Sequence, residues 1–147
     1  MNYSINTVEK SEHTSIIEVW EASVRATHHF LSEADIAYFK PLILNQYLDL
    51  VELRSLKNSN GKIVGFLGTA EGNLEMLFLH PDLRRKGLGK LLLNYAIEQL
   101  SVQKVDVNEQ NPEATAFYLK QGFAVIGRSE TDPQGKPYPI LHMSLKV

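Results

Sequence analysis

The feature that most constrains this chain is the passage from an apolar run, through a cationic turn containing glycine, into helical periodicity. Leu74-Glu75-Met76-Leu77-Phe78-Leu79 is nearly all apolar, the pattern of a strand buried on both faces and central to a sheet. After the loop from His80 to Leu88, the residues Leu91, Leu92, Tyr95, Ala96 and Leu100 recur along one side of a helix from about Gly89 to Leu100. Between strand and helix lies Arg84-Arg85-Lys86-Gly87-Leu88-Gly89-Lys90. Main-chain amides at a helix N-terminus lack intrahelical acceptors, the helix dipole adds partial positive charge, and glycine lets an anion approach the backbone. Four cations within these seven residues deepen that field in a chain whose formal charge is −2. A phosphate or pyrophosphate is the ligand such a segment fits; the plainer alternative is a solvated basic turn that its glycines merely bend. A Walker A loop is excluded, because Arg84 stands where its first glycine belongs and Leu91 where Ser or Thr must follow the lysine. The dinucleotide fingerprint also fails, with Leu92 at its third small position and no acid at the usual distance for a ribose.

No linker, like-charge run or repeat divides the rest, so residues 1–147 read as one continuous domain. Tyr3 to Val8 alternates as a short strand. Ser11 is expected to cap a helix running to about His28, and Ser32 with Asp35 opens a second, which Pro41 should kink or divide. Leu50 to Leu56 and Lys62 to Thr69 are strand-like and joined by Asn58-Ser59-Asn60-Gly61, and Glu71-Gly72-Asn73 turns the chain into Leu74. Lys104 to Val107, Phe123 to Arg128 and Ile140 to Leu145 are further strands; Pro112 to Gln121 is a helix stopped by Gly122. The order β-α-α-β-β-β-α-β-α-β-β implies an α/β fold with a mixed central sheet and helices on both faces.

Composition then removes whole classes of function. The chain is 44% apolar and 22% charged, which suits a globular domain, and its 15 Lys plus Arg against 17 Asp plus Glu give no global basic field for nucleic acid. With no cysteine there is no thiolate nucleophile and no Cys-based metal site, and the five histidines form no metal spacing, so direct transfer without metal is expected. No apolar stretch approaches the length of a membrane span, and Met1-Asn2-Tyr3 leads into polar sequence without a secretion signal; the expected location is the cytoplasm, with no membrane partner.

Arg84-x-x-Gly87-x-Gly89 after a short central strand resembles the acetyl-CoA signature of the GNAT superfamily of acyl-CoA-dependent N-acyltransferases. Val107 to Phe123 resembles a second block of that family, Asn-x-x-Ala-x-x-Phe-Tyr-x-x-x-Gly-Phe, carried here by Asn111, Ala114, Phe117, Tyr118, Gly122 and Phe123. Ala26 to Leu31, Asn108 to Asn111, Gly127 to Glu130 and Gly135 to Pro139 extend the resemblance to the bacterial YjaB-type acetyltransferases along nearly the whole chain.

That resemblance implies a GNAT-like fold and acetyl-CoA as co-substrate. It puts the pyrophosphate on Arg84, Arg85, Lys86, Gly87, Leu88, Gly89 and Lys90, and the pantetheine arm on main-chain groups of Leu77, Phe78 and Leu79. An amide near Leu77 would stabilise the oxyanion, and Asn111 would bond the arm from the opposite side, a role compatible with a plain N-cap before Pro112. Tyr118 takes the position of the acid that protonates the departing thiolate; otherwise it is a packed core aromatic. An acceptor amine is protonated at neutral pH, so a base is also required. Glu75, the one charge in the apolar strand, is that candidate unless it is simply paired with a cation. His28 and His29 are candidates for the acceptor wall, while His80 and His142 have weaker claims. The expected acceptor is a primary amine, a protein lysine by resemblance. A small-molecule amine and a non-catalytic acyl-CoA sensor remain as alternatives, and the assembly is a monomer or homodimer.

Overall fold

Alternation along the strands sorts the apolar residues onto two sides of a sheet, and each side is covered by its own pair of helices. The structure, a computed structural model, describes residues 2–146. The chain runs β1 (Ser4–Thr7), α1 (His13–Thr27), α2 (Glu33–Asn45), β2 (Glu52–Lys57), β3 (Ile63–Ala70), β4 (Asn73–Leu79), α3 (Leu88–Leu100), β5 (Lys104–Asn108), α4 (Pro112–Lys120), β6 (Phe123–Ser129) and β7 (Ile140–Leu145). These strands form a seven-stranded sheet in the order β1-β2-β3-β4-β5-β7-β6. Only the β4–β5 pair is parallel, as the α3 crossover between them requires, so the expected mixed sheet is present. Val64, Leu67, Leu74, Val105 and Val107 face α3 and α4, whereas Ile63 and Phe66 join α1 and α2 on the other side. Leu92 of α3 is wholly buried, and truncating it to Ala should cost about 2–5 kcal/mol by leaving a cavity under the helix.

Several details differ from the sequence expectation. Ser11 does not cap α1: Glu9 and Glu12 form a reciprocal capping box around a 3-10 turn, Lys10–Glu12, and the helix starts at His13. Ser32 and Asp35 do form the box expected of them. Pro41 removes one amide donor but does not divide α2, which continues to Asn45. Leu50 belongs to a 3-10 turn and is 73% exposed, so β2 begins only at Glu52. Leu91 is exposed, and the buried face of α3 is Leu88, Leu92, Leu93 and Ala96.

The most consequential difference concerns β4, which is central but is not buried on both faces. Met76 to Leu79 pair in sequence with Gly68 to Gly65, and then Leu74 pairs with Thr69, leaving Glu75 as the extra residue of a β-bulge. A bulge bends its strand and increases its twist. β4 accordingly meets β5 only at Asn73↔Lys104 and Leu74↔Val105. Past Glu75 the two strands diverge, opening a slot through the sheet, and Leu77, Phe78 and Leu79 are left half-buried.

Candidate active site

At one end of the slot the chain between β4 and α3 forms a cradle of main-chain donors. A 3-10 turn, Pro81–Leu83, leads out of β4, with His80 Nδ1 accepting from the Asp82 amide at 3.2 Å. Arg85 then takes φ +65° and Gly87 φ +78°, and α3 starts at Leu88 with no side chain capping it. The first helical bond runs from the Leu91 amide to the Gly87 carbonyl at 3.1 Å. The amides of Arg85 to Lys90 donate to no protein acceptor among the described residues. The two glycines serve different ends. Gly87 is needed for its left-handed backbone, while a Cβ on Gly89 would meet Phe117 Cζ at 3.6 Å and Leu79 Cδ1 at 3.8 Å. Arg85, Lys86 and Lys90 are exposed around the cradle, and Leu88 is buried, so it offers its amide alone. Arg84 is engaged elsewhere: its guanidinium pairs with Glu113 in the first turn of α4, fastening the loop to that helix.

The slot has two faces because neighbouring residues on its edge strands point in opposite directions. Leu77, Leu79, Val105 and Val107 belong to the α3/α4 core with Tyr118, whereas Met76 and Phe78 pack with α1 and α2. Phe78 stacks on Phe66 with centroids 5.5 Å apart, so only its main chain is available to the slot. Asn111 is the N-cap of α4, its Oδ1 accepting from the Ala114 amide at 3.2 Å. Its carboxamide NH2 donates to no protein atom among the described residues. Tyr118 is buried edge-on between Phe117 and Phe123, at 5.1 Å and 5.7 Å. Desolvation alone pushes its phenol well above the ordinary value, so the proton stays on.

On the α1/α2 side the slot opens into a cleft of about 690 Å³. Trp20, Phe39 and Ile43 give it an apolar floor, and Glu75, Asp106 and Asp132 bring carboxylates to its lining. No Lys or Arg is among the described residues that line it. Glu75 is exposed and accepts a hydrogen bond from the Asn73 side chain. One wall is the β6–β7 connection, fastened to α2 through Asp35. That carboxylate receives the Tyr138 hydroxyl and lies 3.3 Å from Lys136 Nζ. The Tyr138 bond, with those from Ser32 and Lys136, outweighs desolvation and holds the Asp35 carboxyl down at about 2.

Of the two histidines at the end of α1, the structure brings only His28 into the cleft; His29 is exposed and lines none of it. The Thr27 hydroxyl donates to the Ser23 carbonyl at 2.8 Å, so the His28 Nδ1 at 2.7 Å must donate to Thr27 Oγ1. Burial, with Phe30 and Phe78 close to the ring and a smaller contribution from the charge of His29, lowers His28 to about 4. His142 also reaches the cleft, with Nδ1 2.7 Å from Asp106 Oδ1 and Nε2 2.7 Å from Ser129 Oγ. Sequence reasoning singled out neither Asp106 nor Ser129. The trace of Asp106 was the alternation of β5, where Asp106 and Asn108 interleave with Val105 and Val107, as they would on any solvated sheet face; Ser129, the last residue of β6, stood only inside the segment Gly127 to Glu130.

The residues that resembled an acyl-CoA signature therefore flank one slot, with unpaired amides at one end and a carboxylate-lined cleft on the far face. Residues 32–146 match the acetyltransferase (GNAT) domain, and the chain belongs to that family. It is an acyltransferase that uses acetyl-CoA to acetylate an amine. The peptidyl-lysine N-acetyltransferase YjaB of Salmonella typhimurium is 38% identical over 143 residues, covering 97% of this chain and 98% of that protein. The solution structure of apo YjaB from Escherichia coli matches with a TM-score of 0.90 at 36% identity, over 98% of this chain and 97% of that one. The PaiA N-acetyltransferase of Thermoplasma acidophilum, solved in complex with coenzyme A, shares the fold with a TM-score of 0.76 at 22% identity, over 98% and 99% of the two chains.

Proposed function

We propose that the acceptor is the ε-amine of lysine in proteins and that acetyl passes to it directly, without an acyl-enzyme. The observation that carries this reading is the cleft itself: an aromatic and aliphatic floor, carboxylates from three separate elements, and no lining Lys or Arg among the described residues. A long aliphatic stem ending in an ammonium suits such a lining, and the name of the Salmonella relative gives a peptidyl-lysine acceptor.

The amides of Arg85 to Lys90 hold the pyrophosphate, with Arg85, Lys86 and Lys90 adding positive charge. Arg84 contributes by keeping the loop against α4. Main-chain groups of Leu77, Phe78 and Leu79 receive the pantetheine arm along the unpaired edge of β4, and the Asn111 carboxamide donates from the other side. Acetyl-CoA supplies a thioester carbonyl that a neutral amine attacks. Glu75 draws the cationic acceptor to the slot and is the sequence candidate for receiving its proton. Tyr118 gives its proton to the departing sulfur; the burial that raises its phenol also makes the thiolate a stronger base, so the transfer stays matched. The reading takes residues 1–147 to be one domain acting in the cytoplasm. The described residues hold no helix long and apolar enough to cross a membrane.

The test is release of free CoA with a panel of amines: a lysine peptide with a blocked N-terminus, the same peptide with a free α-amine and no lysine, and a polyamine. The expected result is release driven by the lysine peptide, with the acetyl group found on Nε by mass spectrometry. Preference for the polyamine or α-amine would move the acceptor class. Acetyl-CoA binding without release for any amine would leave a sensor.

A further inference from the structure

Three cleft residues that the sequence did not connect form a hydrogen-bonded chain across three strands. Asp106 of β5 lies directly opposite His142 of β7. On the other side, β6 pairs with β7 through a bulge between Val125 and Gly127, and Ser129 pairs with Ile140, which shares a face with His142. The carboxylate can only accept, so the neutral imidazole carries its hydrogen on Nδ1, donating to Asp106 across 2.7 Å. Nε2 keeps its lone pair, and the Ser129 hydroxyl donates to it across 2.7 Å. A basic nitrogen thus stands one hydroxyl away from the cleft.

Resting on the acceptor reading above, we propose that His142 is the group that takes the proton from the incoming ammonium, with Ser129 as its relay and Asp106 as a positioning residue. One N–H proton of the ammonium passes to Ser129 Oγ while the hydroxyl proton passes to Nε2. The amine gains its lone pair, and His142 becomes an imidazolium beside the Asp106 carboxylate. Once the N–C bond has formed and the C–S bond has broken, the second amine proton replaces the one that Tyr118 gives to sulfur, and His142 returns its proton to water. The other two cleft candidates serve less well. Glu75 is exposed and bonded to Asn73, and imidazole is intrinsically the stronger base. His28 is buried with apolar rings against it and takes up a proton reluctantly. The titratable groups that line the cleft with His142 are Asp106 of β5, which is bonded to it, Glu75 of β4, Asp132 and Tyr138 of the β6–β7 connection, Tyr47 after α2 and His28 just after α1.

The experiment is the pH dependence of kcat/KM with a lysine peptide, for wild type, His142→Gln, Asp106→Asn, Ser129→Ala and Glu75→Gln, with acetyl-CoA affinity of each by calorimetry. His142→Gln should lower kcat on the order of 10²-fold, abolish the acid-side limb and leave acetyl-CoA binding unchanged. Asp106→Asn should displace that limb with a smaller loss of kcat, and Ser129→Ala should lower kcat without moving it. A wild-type acid limb in His142→Gln, its loss in Glu75→Gln instead, or a parallel loss of acetyl-CoA affinity in His142→Gln would each overturn the assignment while acetylation by wild type still stood. A wild type that acetylates no lysine peptide would take the acceptor reading down with it.

Discussion

The two ends of the β4–β5 slot are built from different parts of the polypeptide. The cradle draws its donors from consecutive main-chain amides between Arg85 and Lys90, so its chemistry depends on backbone angles and on what glycine permits. The acceptor cleft draws its groups as side chains from α1, α2, β4, β5, β6, β7 and the β6–β7 connection, which only the finished fold brings together. A ligand common to a whole family can be held by main chain that tolerates side-chain change, whereas a particular acceptor has to be read by side chains. Tyr118 stands between the two, on α4 and against the α3 core. Tyr118→Phe should therefore break the comparison at its middle, lowering kcat by about 10²-fold or more while calorimetric affinity for acetyl-CoA is kept. Equal losses in turnover and cofactor affinity would make the ring a packing element.

The same contrast explains what could be read in advance. The element order was legible because each strand and helix carries its own periodicity, and the cradle because Arg84 to Lys90 is contiguous. The bulge at Glu75 was not legible: it exists only as a register difference between β3 and β4, and it turns an apolar strand that should be enclosed into one edge of a slot. His142 was named from the sequence with a weak claim, but its junction with Asp106 and Ser129 was illegible for a similar reason, since 36 residues separate Asp106 from His142. Leu91 misled because one apolar residue can extend a helical stripe by sequence and still fall on its exposed margin.

The cleft end should also carry an acid sensitivity that the cradle lacks. His28 is held at about 4 against an ordinary 6.5, mainly by desolvation, so folding favours its neutral form. Its contribution to stability is complete above pH 6.5 and is lost as the pH falls through 4, amounting to about 3 kcal/mol. Carboxylates protonate in the lower part of the same range, so the informative quantity is the difference between wild type and His28→Gln in urea unfolding at several pH values. The variant should lose less stability on acidification. Parallel curves would mean that the imidazole is not desolvated as its burial requires.

At the cradle end, Gly89→Val should weaken acetyl-CoA binding about tenfold, near 1.4 kcal/mol, with little effect on folding. A Cβ there makes only ordinary contacts at 3.6 Å and 3.8 Å, so the fold accepts it, while the γ-methyls crowd the amides of the first helical turn. Unchanged affinity would contradict the assignment of this turn to the pyrophosphate.

The smallest effect tests whether the cleft selects by charge. Glu75 is exposed, and attractions between exposed charges contribute up to about 1 kcal/mol and are screened by salt. Glu75→Gln should then raise KM for a lysine peptide up to about fivefold at low ionic strength, leave kcat close to wild type, and leave acetyl-CoA affinity unchanged. Added salt should raise the wild-type KM towards that of the variant, because it removes the same attraction by another route. Asp132→Asn should behave alike, since it brings a carboxylate to the same cleft from the β6–β7 connection. A fall in kcat with a constant KM in Glu75→Gln would instead give that carboxylate a part in the chemical step, and would move the boundary between attraction and proton transfer from β7 back to β4.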